Sequence, residues 1–337
     1  MRKVIIQVLK FLGFLIIGII LLWLAFRNVE LDSLIAGLKE ANYSWLFLSI
    51  FFGFLAYISR ARRWVILINP LGYTPSLRNT FYALMTGYLA NLALPRVGEL
   101  TRCVALGKKE KMPVDQLFGT VVVERTIDFI SLMLILIVLI VLRGDQINEF
   151  LKQSIFDPLQ QKVFSLLDFT WIIWTVIVAL AVVMLYLLII YRKKLRKVRF
   201  FLKVFDTAKG VINGLKTITG LKRKWEFIFH TVFMWFCYTL MTWVVVFAIE
   251  PTSHLTLGDS VFLLVIGGLA MSAPVQSGLG AFHYIVSRGL AFVEKVKIED
   301  GLIYAFLTHE SQLLFVILVG TISFFIIFGK HHKEKSS

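Results

Sequence analysis

Cysteine, proline and long polar stretches are all scarce in this sequence of 337 residues. The two cysteines, Cys103 and Cys237, lie in or beside apolar segments and far apart in the chain. That spacing offers neither a disulfide framework nor a metal motif, so we expect apolar packing residues and no metal. The longest polar interval, 192–226, is rich in Lys and Arg and too short to bury a core. The sequence therefore leaves no room for a soluble catalytic domain.

Apolar residues dominate what is present. The chain is 58% hydrophobic with a mean hydropathy of +0.79, whereas soluble domains are about 45–50% apolar. A membrane span needs about 20 apolar residues. The pattern predicts an all-α integral membrane protein, a single polytopic domain over 1–337. Six blocks qualify as full spans, 5–26, 44–66, 117–142, 170–191, 227–249 and 301–328, and two more, 79–107 and 259–293, are apolar but interrupted.

The charged residues set the expected orientation. The net charge is +15, but the basic residues gather in short connections between apolar blocks, which argues against nucleic acid as a partner. The loop 192–226 carries twelve basic residues against two acidic ones. Every connection obeys the positive-inside rule if both interrupted blocks are re-entrant hairpins or paired crossings, counted as seven to eight spans. Both termini and the basic loop are then cytoplasmic.

The first apolar block is expected to be a retained span. Its apolar run is longer than the core of a signal peptide, and Leu24-Ala25-Phe26 offers no small-residue cleavage site. We therefore expect a multi-pass protein of a bacterial inner (cytoplasmic) membrane.

The topology predicts an inverted repeat of halves at about 1–142 and 170–328, an arrangement common in transporters. Of seven prolines, only Pro95 and Pro274 fall inside apolar blocks. Proline and glycine break helices, and broken backbone in lipid needs cover from protein or access to water. Matching breaks therefore predict a polar cavity; the alternative is that each proline merely kinks a packed span. The residues expected to form the breaks are Pro95, Gly98, Pro274, Gly278 and Gly280.

Polar side chains crowd the first break. Asn91, Arg96, Glu99 and Arg102 leave an excess of positive charge, even if Glu99 and Arg102 pair at i,i+3. Arginine and helix N-termini both favour phosphate. We therefore predict a site for an anionic headgroup; the alternative is that the arginines only fix depth in the membrane.

The span after this break carries three charged residues. Glu124 and Asp128 share a helical face, and Arg125 reaches Asp128 at i,i+3. Ionised residues inside a membrane are costly, so function is the default interpretation. An internal Arg125–Asp128 pair is the structural alternative, and Glu124 would then need a partner such as Arg96 or Arg102.

The second break offers mainly neutral hydrogen-bonding groups, Ser277 and His283 among them. The later pair His309-Glu310 lacks the second histidine of a zinc motif. Both a proton-linked role and simple packing polarity fit this pair. Two arginines and a tryptophan at the end of the second span, Arg60, Arg63 and Trp64, are predicted to form a headgroup anchor.

Four motifs in this order carry a resemblance that covers nearly the whole chain. They are Arg60-x-x-Arg63-Trp64, Asn91-x-x-x-Pro95-Arg96-x-Gly98-Glu99-x-x-Arg102, Glu124-Arg125-x-x-Asp128 and Pro274-x-x-x-Gly278-x-Gly280. The set resembles the transmembrane-domain family of lysylphosphatidylglycerol synthase, also called flippase-like membrane proteins. The resemblance implies that a cavity for lipid headgroups is lined by Arg96, Glu99, Arg102, Glu124 and Arg125. Around His283 and His309-Glu310 the match is weaker.

The resemblance favours a flippase or lipid transporter for an anionic phospholipid or a polyprenyl-phosphate-linked lipid. Bifunctional members append an aminoacyltransferase domain, but this chain ends directly after the last apolar block, so lysyl transfer is not expected. Membrane lipids are the expected partners. No Gly-rich phosphate loop occurs, and no cofactor is expected. Two alternatives stay open: a membrane enzyme on a lipid headgroup, with Glu124 or Glu310 as general base, and a non-catalytic envelope scaffold.

Overall fold

The computed structural model describes residues 16–27, 29–94, 97–151, 220–272, 275–293 and 296–329. These residues form helices joined by short turns, without a strand among them. The α-helices are α1 (Ile16–Phe26), α2 (Leu31–Glu40), α3 (Ser44–Ile68), α4 (Leu77–Ala93), α5 (Gly98–Glu110), α6 (Val114–Leu151), α7 (Lys224–Val244), α8 (Leu257–Met271), α9 (Ala281–Val293) and α10 (Ile298–Phe328).

Three of the described helical segments are long and apolar enough to cross a membrane: Ser44–Leu71, Lys224–Ala248 and Ile298–Phe328. Large apolar side chains cover their outer faces, among them Phe47, Val232 and Phe325. Such surfaces are stable against lipid rather than water. The all-helical membrane class predicted from the sequence is therefore confirmed.

The helix bounds follow the predicted apolar blocks with small differences. The block predicted at 117–142 lies within the longer α6, and the block at 227–249 ends as a 3₁₀ turn over Val245–Ala248. The block at 170–191 and most of the basic loop 192–226 lie outside the described residues, as does the first part of 5–26.

Each interrupted block forms two helices packed against one another, α4 with α5 and α8 with α9. Local caps define where these hairpins begin. The Ser76 hydroxyl accepts a hydrogen bond from the backbone N–H of Asn79 at the start of α4. At the start of α8, Thr256 and Asp259 form a reciprocal capping box. The hairpins pack on α10, which contacts both α4 and α9.

Two apolar clusters hold these helices together. The larger lies among α8, α9, α10 and the end of α7, with Tyr304 and Leu302 fully buried at its centre. The smaller lies among α3, α5 and α6 and includes Trp64 and Cys103. Cys103 and Cys237 are both buried and unpaired, as the sequence predicts for packing residues.

Candidate functional site

A cluster of buried charges lies where α3, α5 and α6 meet. Helical spacing places these side chains on facing surfaces, since residues three or four apart share a face. Within the described part of the chain, four arginines meet three carboxylates there, so the formal charge is +1. The members are Arg60 and Arg63 from α3, Glu99 and Arg102 from α5, and Glu124, Arg125 and Asp128 from α6.

Two arginines of α3 hold Asp128. Arg60 Nη2 donates to Oδ2 over 2.7 Å, and Arg63 Nη1 donates to Oδ1 over 2.8 Å. The Arg63 side chain is fully buried, with its guanidinium 5.1 Å from the Phe227 ring centroid. A charge removed from solvent in this way is tolerated only with close partners. This carboxylate therefore holds two buried cations in place.

Glu124 is the fully buried acid of the cluster. Its nearest cation is Arg102, with Nη1 3.2 Å from Oε2, and Arg60 and Arg125 lie 3.7 and 3.8 Å from Oε1. The Arg102 guanidinium also lies 4.6 Å from the ring centroid of Trp64. Of the two partners that the sequence suggests for Glu124, the structure shows Arg102 in place. Glu99, which could pair with Arg102 by its spacing, lies near Arg125.

Arg125 is held more loosely than the other arginines. Its guanidinium lies 3.8–3.9 Å from Glu99, Glu124 and Asp128, beyond hydrogen-bond distance. Its side chain is 38% exposed, whereas those of Arg60, Arg63 and Arg102 are 6% or less. It also lines the central cavity. Arg125 is therefore the described arginine of the cluster that is best placed to contact a ligand.

The position of Arg60, Arg63 and Trp64 differs from the headgroup anchor predicted from the sequence. All three are buried, and Trp64 Nε1 donates to Thr120 Oγ1 over 2.8 Å. The sequence pattern predicts the end of a span here, but α3 continues to Ile68, so the three residues lie inside the helix. They belong to the ion cluster and its apolar wall.

The first break is closed by Asn91 and Gly98. Asn91 Oδ1 accepts a hydrogen bond of 2.7 Å from the Gly98 N–H, which caps the start of α5. A Cβ at Gly98 would overlap the Gly87 carbonyl oxygen and Asn91, so only glycine permits this approach of α4 to α5. Pro95 and Arg96 lie outside the described residues. Asn91, predicted as a substrate contact, closes the break and also lines the cavity.

The second break runs from Ser272 to Gly280. Ser277, Gly278 and Gly280 have φ of +46°, +73° and +75°. This left-handed region is costly for Ser277 and free for glycine. A Cβ at Gly280 would overlap the backbone of α1, so α1 lies against this break. Pro274 lies outside the described residues.

A cavity of about 650 Å³ lies between the two breaks. Volumes of about 300–1,000 Å³ are typical of small-molecule sites. Its walls are mostly apolar, with the ion cluster contributing at one place and His309 at another. Residues of both hairpins line it: Asn91 and Glu99 from the first, and Gly267, Gly268, Ser277 and Phe282 from the second. The sequence predicts a polar cavity at the paired breaks, whereas these walls are polar only in part, because long apolar helices supply most of them.

Three residues of the second half form a separate polar cluster. His309 Nδ1 lies 2.8 Å from Glu310 Oε1, and His309 Nε2 lies 2.8 Å from the Ser277 carbonyl oxygen. His283 Nε2 lies 3.5 Å from the same Glu310 oxygen, and its Nδ1 is buried without a hydrogen-bond partner. The structure thus brings His283, His309 and Glu310 together with the backbone of Ser277, the four hydrogen-bonding residues named from the sequence in this half. The 2.8 Å separations are those of hydrogen bonds.

Several polar residues of the cavity wall escape the sequence analysis. Trp235 Nε1 and Gln312 Oε1 line the cavity buried and without hydrogen-bond partners. They lie in long apolar helices, where one polar atom carries little signal. Three tyrosines also line the cavity together with residues of the ion cluster: Tyr57, Tyr88 and Tyr238.

The sequence profile described as "Lysylphosphatidylglycerol synthase TM region" matches residues 10–320. The chain belongs to this family. Among curated proteins, the chain is similar to the UPF0104 membrane protein MJ1595 of Methanocaldococcus jannaschii, with 24% identity over 299 residues, 82% of each chain. No solved structure gives a significant match. Membership of the lysylphosphatidylglycerol synthase membrane-region family agrees with the resemblance found in the sequence and with the apolar helices of the fold.

Proposed function

We propose that this protein is a flippase or transporter that moves an anionic lipid between the leaflets of a bacterial inner membrane. The headgroup, a phosphodiester or a polyprenyl-linked phosphate, occupies the central cavity. The single observation that carries the proposal is the net positive ion cluster in the wall of a largely apolar cavity. The family and the membrane fold agree with a role in lipid handling but leave this step as our inference.

Arg125 is the proposed contact for the headgroup. Of the carboxylates near it, Glu124 and Asp128 are also shared with Arg60, Arg63 or Arg102, and the contacts of Arg125 itself, including that with Glu99, exceed 3.5 Å. An anion that enters can therefore accept hydrogen bonds from Arg125 without breaking a short ion pair. Arginine suits this task because its planar fork matches two phosphate oxygens. The cluster then gains the negative charge that balances it.

The size of the cavity suits the headgroup of the lipid but not its tails. A cavity of about 650 Å³ accommodates a headgroup-sized ligand. The acyl or prenyl tails stay in the bilayer, where burial costs nothing. Alternating access arises from rocking of two inverted halves, with both termini cytoplasmic, as in other transporters with broken helices.

Leaflet exchange in liposomes tests the proposal. Protein is reconstituted with fluorescent anionic or zwitterionic lipid, and quenching from outside reports the exchanged fraction. Wild type is expected to exchange the anionic lipid faster than protein-free liposomes do. Arg125→Gln should slow that exchange at least about tenfold, the effect of one lost charge-assisted hydrogen bond.

Arg62→Gln is the matched control. Arg62 lies on α3 within the same chain region but pairs with Glu226 at a partly exposed site. Its loss should leave exchange close to that of wild type. Equal rates for wild type, Arg125→Gln and protein-free liposomes would overturn the proposal.

A further inference from the structure

His309 lies between two hydrogen-bond acceptors. One ring nitrogen, Nδ1, faces Glu310 Oε1, and the other, Nε2, faces the Ser277 carbonyl oxygen, each over 2.8 Å. A neutral imidazole carries one N–H and one lone pair, so it cannot donate to both. For both contacts to be hydrogen bonds, the pair must carry one proton more than a neutral His309 and an ionised Glu310 have together. That proton lies either on His309 as an imidazolium or on Glu310 as a carboxylic acid.

The second acceptor belongs to the strained turn of the second break. Ser277 holds φ +46°, a left-handed conformation that is costly for a non-glycine residue. Such backbone persists only where its surroundings hold it. The contact from His309 to the Ser277 carbonyl is one such restraint, since it ties the break to α10.

His283 is the titratable group that faces this pair from another helix. It lies on α9, with Nε2 3.5 Å from Glu310 Oε1 and its ring centroid 5.0 Å from that of His309. Phe282, also on α9, covers the His309 ring at 5.3 Å. From the break itself, the facing group is the Ser277 carbonyl. One face of His309 reaches the central cavity, which gives a proton a path to water.

We propose that His309 and Glu310 form a binding site for one coupling proton, which latches the second break against α10. With the proton bound, His309 Nε2 donates to the Ser277 carbonyl oxygen, and a second hydrogen bond joins Nδ1 to Glu310, donated by whichever of the two groups carries the proton. When the proton leaves to water in the cavity, the neutral ring keeps its N–H towards the carboxylate, because a charge-assisted hydrogen bond is the stronger one. The Nε2 lone pair then faces the Ser277 carbonyl oxygen, and the latch opens. The proton site and the latch do not depend on the proposed lipid transport. Only the statement that the latch controls transport rests on that proposed function.

Thiol labelling tests the latch without requiring transport. Ser272→Cys places a thiol at the exposed start of the break, and its rate of reaction with a water-soluble maleimide is measured across about pH 5 to 8, where histidine titrates. Each rate is divided by that of Ser253→Cys, an exposed loop position, which removes the pH dependence of thiolate formation. We expect this ratio to rise about fivefold with pH, the effect of one lost hydrogen bond.

Three variants test whether the rise of the labelling ratio with pH comes from His309 and Glu310. Glu310→Gln keeps a neutral side chain at all pH values, so the ratio should stay low and flat. His309→Gln cannot bridge both acceptors, so the ratio should be high and flat. His254→Gln removes an exposed histidine of the α7–α8 connection and should preserve the rise. A flat ratio in wild type, or a rise that survives in His309→Gln, would overturn the proposal.

Two further measurements distinguish a proton site from a metal site and separate the latch from lipid transport. Added EDTA should leave the labelling ratio unchanged; a ratio that changes with EDTA would assign the site to a metal ion and overturn the proton site. Leaflet exchange under an imposed pH gradient should respond to the gradient in wild type and not in Glu310→Gln. Exchange without any pH-dependent labelling defeats this inference alone, whereas pH-dependent labelling without exchange defeats the proposed function.

Discussion

At the scale of single residues, the charges of this site divide into structural and available groups. Arg63 and Asp128 meet over 2.8 Å, with Arg63 fully buried. Arg125 meets its carboxylates only beyond 3.5 Å and is partly exposed to the cavity. Because a buried charge without a partner is costly, substitutions at the first two should act on stability and those at Arg125 on ligand binding.

Asp128→Asn is therefore expected to destabilise the fold by about 3–5 kcal/mol, since Arg63 loses its carboxylate partner while it stays buried. The measurement is thermal unfolding in detergent. Glu226→Gln is the matched control, because Glu226 also pairs with two arginines, Arg62 and Arg223, but at a partly exposed site. There the expected loss is under about 1 kcal/mol.

Replacement of both partners gives a further check on Asp128. The double variant Arg63→Met with Asp128→Asn removes the unpaired cation as well as the acid. It should recover part of the lost stability, because the cost lies in a buried charge without a partner. Equal loss in the single and double variants would contradict this cause.

At the scale of helices, the two breaks depend on close approach at particular glycines. Gly98 is in contact with the backbone of α4, and the amide of Asn91 caps the start of α5. The sequence predicts the breaks because only two of its seven prolines, Pro95 and Pro274, fall inside apolar blocks, each followed closely by glycine. It does not predict that Asn91 closes the first one, since the same asparagine is equally suited to bind a ligand.

Gly98→Ala should destabilise the first hairpin by about 1–3 kcal/mol, because the new Cβ would overlap the Gly87 carbonyl oxygen and force α4 from α5. Gly119→Ala is the matched control, since a Cβ there meets nothing within 4 Å. Alanine is the better helix former, so this change should be neutral or stabilising by up to about 1 kcal/mol. Thermal unfolding of both variants checks the contrast; equal losses would show that close approach is not the cause.

The helices themselves follow from composition, whereas ion-pair partners do not. The apolar blocks at 44–66 and 301–328 correspond to α3 and α10 within three residues at each end. For Glu124 the sequence leaves Arg96 and Arg102 as possible partners, and in the structure Arg102 lies closest among the described cations. Local spacing predicts Arg60 and Arg63 at the membrane surface, because arginines near the end of an apolar run usually lie there. Their true partner, Asp128, is 65 residues or more away in sequence, and local spacing holds no information on such a contact.

At the scale of the whole molecule, the cavity joins the two hairpins into one site. Its walls include α3, α6 and α7 as well as both breaks, so part of the ion cluster and His309 face a common space. A lipid headgroup bound to Arg125, as proposed, would lie in the same cavity as Ser277 of the second break. Under the two proposals, the ligand and the proton would therefore act from different places in the wall of one cavity.

Gly268→Leu tests whether this space is used. Gly268 lines the cavity from α8, and a Cβ there meets only Leu132 at 3.8 Å, an ordinary contact. Leucine should fit the helix and fill part of the cavity, so the unfolding midpoint should be kept while leaflet exchange of anionic lipid falls towards the rate of protein-free liposomes, because the side chain occupies space that the headgroup needs. Gly119→Leu, on the outer face of α6, should leave exchange unchanged. Full exchange by a stable Gly268→Leu protein would place the lipid path elsewhere.

The central claim is that an anionic headgroup binds inside the cavity, beside Arg125. The most direct measurement is cross-linking with an anionic lipid that carries a photoreactive headgroup, followed by mass spectrometry of the labelled peptides. We predict labels on the cavity-facing parts of α4, α6 and α7, competed by unlabelled anionic lipid and reduced at least about tenfold in Arg125→Gln. Labels confined to the outer surface, or cavity labels of equal strength in wild type and Arg125→Gln, would contradict the account.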